Sequence, residues 1–440
     1  MRHSLLVGSI AALVIGAGAP LTAQISFDAR RDAMAGLPLF GDGSLSRYNA
    51  AFRAVPKPSG HAFLTIPIPL GILQALKDST AFDTDSSYFN PVELANLILH
   101  PPIFLEVKKA PTPTNNVEFD IGQNAFRVNL GQSAGLVPTD QFGFGASARL
   151  LDIGFGAKGV RIGAMVWLNY DVGFVLGDSL RQFLADSAPA HTNTNYNVLE
   201  EALAQGGVAP QIGWAGKLTG TDSSGLYLGV NARYYLGLGY ARMQGNTGFT
   251  TGDTLFAGSN PVTPSVAANF DRATLKDGMG HGFGGDIGLA YVSGPLQVGL
   301  GINDVGATIT WPKAKIDTFY YDTTTQNVQH FTVDSGVETK TKIPVSYLLN
   351  GTYTLPTGTT VGAAILDNGR GTTVHIGGEQ RVGPLAVRAG IERDERHKIE
   401  FGWGGGLRFL FLSLDVGFVT HSSSLSNSRG VTMATSISIY

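Results

Sequence analysis

A period of two runs through this chain and limits what it can fold into. Residues 226–241 read LYLGVNARYYLGLGYA. One parity collects Leu226, Leu228, Val230, Ala232, Tyr234, Leu236, Leu238 and Tyr240. The other collects Tyr227, Gly229, Asn231, Arg233, Tyr235, Gly237 and Gly239. Successive side chains of a strand point to opposite faces, so this segment has one apolar face and one polar or bare face. Residues 398–409 repeat the pattern, with Ile399, Phe401, Trp403, Leu407 and Phe409 against Lys398, Glu400, Arg408 and glycines. Residues 160–170, 374–382 and 385–392 split in the same way.

Alternation alone also suits a soluble sandwich. Segment length and spacing discriminate. The segments are about ten residues long, the length at which a tilted strand crosses a bilayer. The connections alternate between short ones, near 156, 293, 356, 382 and 409, and long ones at 173–208, 242–281 and 306–341. Short turns at one end and long loops at the other are the pattern of a transmembrane barrel. A sheet in lipid must close, because an open edge leaves backbone groups unpaired where there is no water. The expected fold is therefore all-β, a transmembrane antiparallel β-barrel of about 14 strands (14–16 by the segment count) with short helices in its outer loops.

Composition agrees. Only 15% of the 440 residues are charged, the net charge is -3, and 58 residues are glycine. There is no basic balance to favour nucleic acid. The absence of Cys removes disulfides, thiolate catalysis and Cys-type metal sites. Arg2, the apolar run 4–19 and the small residue Ala23 read as a signal peptide over 1–23. The expected location is the outer membrane of a Gram-negative cell. The expected partners are outer-membrane lipid, lipopolysaccharide and the barrel assembly machinery.

The remaining organisation is a segment at 24–57 and a barrel at 58–440. Residues 30–52, RRDAMAGLPLFGDGSLSRYNAAF, follow neither helix nor strand period and are rich in small residues. A barrel of this size has a lumen that needs a filler. Gly and Ala permit close packing against its wall, and Met34, Leu37, Leu39, Phe40 and Phe52 argue against a fully solvated tail. This segment is read as a luminal plug or hatch. The polar parity of the last strands carries both signs of charge: Glu379, Arg381, Arg388, Glu392, Glu400, Arg408 and Asp415. Balanced inward charge beside many glycines predicts a lumen filled by protein. Glu379 and Arg388 flank one short turn and are placed to pair across it.

Two other features bear on passage. Pro67 and Pro69 cannot donate to a ladder, so residues 65–73 mark either a strand end or a gap in the wall near the closing seam. Residues 91–102 and 197–207 read as helical patches in outer loops. In the first, Leu94, Leu97 and Ile98 form a broad apolar face that either captures a greasy ligand, caps the barrel mouth or faces lipid. No constellation for chemistry stands out. The nine His are scattered without a metal-ligand spacing, and the Gly-rich runs lie in strands with no helix behind them. The expectation is no enzyme, no cofactor and no metal.

The plug segment resembles the N-terminus of FadL/TodX-type outer-membrane barrels. The residues that carry the likeness are Ala29, Arg30, Met34 to Gly36, the acidic Asp42, and Tyr48, Asn49 and Phe52. Ala35 stands where that pattern has Gly, and Ala50 where it has Pro. A second stretch, GFGGDIGLAYVSGPLQVGLGINDVG at 282–306, resembles the PorV-like and TraF-like branch through Asp286, Gly288, Gly299 and Asn303. The first resemblance implies a passive transporter of small hydrophobic molecules, of fatty-acid or hydrocarbon type, with Met34, Phe40, Tyr48, Asn49 and Phe52 at the hatch. The second implies an accessory barrel that serves secretion or conjugation partners and transports nothing.

Overall fold

The computed structural model describes residues 28–39, 45–56, 64–67, 118–121, 126–129, 142–185, 190–221, 224–253, 262–369, 371–393, 399–420 and 431–439. The strands are β1 (Leu64–Pro67), β2 (Glu118–Ile121), β3 (Phe126–Asn129), β4 (Phe142–Ala157), β5 (Val160–Leu176), β6 (Asn195–Gly220), β7 (Ser224–Thr251), β8 (Val262–Thr274) and β9 (Gly280–Ser293). They continue with β10 (Leu296–Asp322), β11 (Asn327–Lys342), β12 (Ser346–Thr354), β13 (Thr359–Asp367), β14 (Thr372–Val382), β15 (Leu385–Arg393), β16 (Ile399–Phe409), β17 (Leu412–Thr420) and β18 (Val431–Ile439). Short helices are α1 (Ala29–Asp32), α2 (Leu45–Tyr48) and α3 (Asp178–Ala185), with 3-10 turns at Ala50–Arg53 and Leu275–Asp277.

Sixteen strands form one antiparallel sheet, and β2 and β3 form a separate hairpin. β8 and β9 both lie between β7 and β10, one above the other, so they share a place in the wall. β11 and β12 share the next place beside β10. The sixteen strands thus fill fourteen positions. β1 pairs with β18, bringing Leu64 opposite Ile439 and Pro67 opposite Ser436. This joins the first strand of the wall to the last. Pro67 is the final residue of β1, and Pro69 lies outside the described residues.

The period of two maps onto the wall. Along β15, Leu385, Val387 and Ile391 point outward, while Arg388 and Glu392 are buried inside. Ile376 on β14 is 61% exposed beside the fully buried His375. Outward aromatics gather at two levels. Phe155, Trp214, Tyr291, Tyr353 and Phe409 lie toward the short turns, and Tyr234, Phe283 and Tyr347 near the other rim. Strands β12 to β18 have nine to eleven residues. At about 3.3 Å per residue and a tilt of roughly 40°, nine residues rise about 23 Å, close to the apolar thickness of an outer-membrane barrel. The fold is a transmembrane β-barrel. Among the described residues, no helix is long and apolar enough to cross a membrane.

The long connections are largely strand. β6 has 26 residues, β7 has 28 and β10 has 27, so this flank rises far above the belt. Residues 197–207, read as helical from their Leu, Glu and Ala, belong to β6 and pair with β5 and β7 on both sides. Neighbouring strands override a weak intrinsic preference. The helix of this region is α3 instead, which packs Phe183 on Tyr196 and Phe249. The apolar patch of Leu94, Leu97 and Ile98 falls outside the described residues.

Candidate functional site

The plug runs around the inside of the wall. Asp28 accepts a hydrogen bond from the Arg30 backbone N–H and starts α1, and Asn49 does the same for Ala51 ahead of the 3-10 turn. The segment 29–36 lies on β14 to β17, and Tyr48 to Arg53 lie on β10, β9, β7 and β6. The contact is backbone on backbone. A Cβ on Gly402 would collide with the Ala35 backbone, and one on Gly229 with Ala50. Bare positions on the inward parity are therefore the track on which the plug sits. Its apolar side chains, Met34, Leu37, Leu39, Leu45 and Phe52, are at most 1% exposed and pack with Tyr227, Val292, Leu348 and Leu366 of the wall.

Buried ion pairs hold the plug at two places. In the first, Glu379 accepts from Arg30 Nε at 2.9 Å and Nη2 at 3.1 Å. The same carboxylate takes Arg388 Nε and Arg381 Nε at 2.6 Å each, and Arg388 reaches Asp415 at 2.7 Å. Nearby, His375 Nδ1 lies 2.7 Å from the Ala35 carbonyl and 3.6 Å from Glu392. Glu400 is buried, and Arg408 is half-buried on the same parity.

The second network centres on two aspartates. A bulge in β10 turns the consecutive Asn303 and Asp304 inward, with Asp304 at φ +60°. Arg149 donates to Asp304 at 2.7 Å and Asp286 at 3.2 Å, and Arg233 donates to Asp286 at 2.7 Å. Tyr235 donates to Asp304 at 2.5 Å. This network grips the plug backbone: Arg149 donates to the Arg47 carbonyl, and Asn303 Nδ2 to the Tyr48 carbonyl at 2.8 Å. Asn49 Nδ2 donates to the Leu289 carbonyl at 2.9 Å, and Arg53 Nη2 to Asn231 at 2.5 Å. The Arg31 guanidinium lies 5.0 Å from the Tyr48 ring centre. Burial pushes the Tyr48 phenol up, but Arg31, with Arg149 and Arg47, brings it below its ordinary value.

A second closure lies above the plug. The tall flank curls until β6 meets β11, four positions away. Trp311 Nε1 donates to Thr341 at 2.8 Å, Thr341 donates to Gln205 at 2.5 Å, and Gln205 donates to the Lys342 carbonyl at 3.0 Å. Beneath this latch, Met165, Trp167, Tyr235, Tyr240, Ile309 and Trp311 form a buried layer. The Tyr240 and Trp311 rings are 4.7 Å apart.

Met34, Tyr48, Asn49 and Phe52 thus come together in the lumen with Glu379, Arg388 and Glu392. Phe40, Pro69, Leu94, Leu97 and Ile98 lie outside the described residues. Arg149, Arg233, Asp304 and the Gln205–Thr341–Trp311 latch are not singled out by sequence. Asp304 turns inward only through the β10 bulge, and partners such as Arg149–Asp304 and Gln205–Thr341, 155 and 136 positions apart, leave no local signal. Among the described residues no cluster of His, Asp and Glu is arranged to hold a metal ion.

Fold and site define a transmembrane β-barrel with an internal plug. The chain belongs to the family of unknown function DUF5723, whose model matches residues 115–415. No curated protein matches it. Among solved structures it is similar to the Pseudomonas putida toluene transporter TodX, at 12% identity over 68% of this chain and 81% of that one, with a TM-score of 0.36. It is also similar to the Ralstonia pickettii toluene transporter TbuX, at 9% identity over 63% and 79%, TM-score 0.32. A Rhodopseudomonas blastica porin mutant aligns at 12% identity over 63% and 99%, TM-score 0.21.

Proposed function

We propose that this protein is a gated outer-membrane barrel that passes small hydrophobic molecules by diffusion. The observation that carries the proposal is the character of the lumen. Its plug packs apolar side chains against the wall, and a separate buried aromatic layer lies above it. An open aqueous pore has a polar, hydrated interior. Here the described path through the barrel crosses apolar side chains at two levels, and ion pairs clamp the plug beside them. Movement of the plug would open an apolar route. In this proposal the outward belt contacts lipid and lipopolysaccharide, and the barrel assembly machinery inserts the chain.

A second reading rests on the same ion pairs. Two buried networks and a latched upper layer also suit a permanently closed barrel that serves other proteins. Uptake of a fluorescent hydrophobic dye into proteoliposomes separates the two. The transport proposal expects uptake by the intact chain and altered uptake when residues 24–57 are deleted. No uptake by the intact chain, with a leak only after deletion, sinks it and favours the accessory barrel.

A further inference from the structure

The wall beneath the plug carries polar atoms without partners. Tyr227 and Asn350 are each 2% exposed, yet the Tyr227 hydroxyl and both side-chain atoms of Asn350 have no hydrogen-bond partner. The buried Oε1 of Gln297 also has none. These residues share one patch. Gln297 lies opposite Thr352, and Gly299, two residues on, lies opposite Asn350. Gln297 pairs on its other side with Val292, and Tyr227 pairs with Ala290 on the same strand. Tyr227, Ala290 and Val292 pack against Phe52 and Val55 of the plug. A Cβ at Gly299 would touch Phe52 and, at 2.8 Å, Asn350 Oδ1.

Buried side-chain polar atoms nearly always have a partner, so a concentration of orphans needs a cause. Packing does not supply one, because Leu in place of Asn350 would suit the apolar side of the plug. The two ion networks pair among their own members and give no hydrogen bond to Tyr227, Gln297 or Asn350. The orphans are a hydroxyl, an amide oxygen and a complete amide, all neutral and offering both donors and acceptors. A site built to hydrogen-bond a ligand group discriminates strongly against the analogue that lacks it.

We infer that Tyr227, Gln297 and Asn350 form a specificity site, exposed when the plug shifts, for small apolar molecules bearing one neutral hydrogen-bonding group such as a hydroxyl or amide. This rests on the transport reading and narrows its substrate class. A carboxylate fits poorly, because the three residues supply no charge.

The test compares 1-naphthol with naphthalene, which are similar in size and both fluorescent. The full chain is placed in proteoliposomes with a lipopolysaccharide outer leaflet, and protein-free leak is subtracted. The expected result is at least a tenfold preference for 1-naphthol. In Asn350→Leu and in the milder Tyr227→Phe the ratio of the two rates should fall at least threefold, with folding checked by heat-modified gel migration. Equal rates in the natural chain, or an unchanged ratio in both folded variants, overturns the inference and leaves bridging water as the orphans' partner. If neither probe enters, the transport reading fails by itself. Saturable 1-naphthol binding to the purified full chain then decides the site: loss of binding in Asn350→Leu supports it, and no binding to the natural chain overturns it.

Discussion

Glu379 receives three arginines, Arg30 from the plug and Arg381 and Arg388 from the wall. Removing its charge leaves the Arg30 and Arg388 guanidiniums without it in a buried site. Breaking one side of such a network costs about 3–5 kcal/mol. Glu379→Gln should lower the unfolding free energy by that order in urea titration, and Arg30→Met should recover part of the loss in the double variant. The glycines make a separate prediction. Gly402→Val drives a side chain into the Ala35 backbone and should cost about 1–3 kcal/mol by overpacking. Gly405→Val, on the outward parity of the same strand, should cost much less in the same assay.

At the level of elements, the lumen has two closures in series. Deleting residues 24–57 removes the plug but leaves the layer latched by Trp311, Thr341 and Gln205. Planar-bilayer conductance should therefore rise little on deletion alone and steeply when Trp311→Ala is added. Equal conductance in the single and double variants would mean that the upper layer does not obstruct. Trp311 is fully buried, so its truncation also costs about 3–5 kcal/mol of local stability. The latch exists because the tall strands are irregular at one height. β8 gives way to β9 through Leu275–Asp277, β10 shifts register against β11 between Trp311 and Ala314, and β6 and β7 shift at Gly206. Such irregularities bend a sheet.

Across the whole molecule, the wall is two structures stacked. The lower part is an apolar belt, and the upper flank carries outward charges such as Arg272 and Lys315. Arginine near the middle of the belt should disrupt it by about 2–4 kcal/mol, while one beyond it should cost under about 1 kcal/mol. Ile376→Arg and Phe331→Arg test this, since both side chains are at least half exposed. Folding yield into lipid vesicles should fall sharply for the first and stay near the natural value for the second. Equal yields would move the boundary of the belt.

Much of this was legible in the sequence, for a physical reason. Alternation with period two is a local property, and it alone assigns Ile376 to lipid and His375 to the lumen. Turn position is local too, so the strand joints at Lys158, Gly294, Gly383 and Leu410 fall where the short connections lie. The small-residue composition of residues 30–52 is likewise readable as a segment made to lie close to a wall. Tertiary structure alone decided the rest. Whether 197–207 is helix or strand depended on β5 and β7 beside it. Whether a long connection is loop or raised strand depended on pairing across the hairpin. The clamps depended on the curl of the sheet around the plug, which brings Arg30 to Glu379 across 349 positions and Arg149 to Asp304 across 155. A buried charge is tolerable only beside its partner, and only the curved wall puts these partners in one place.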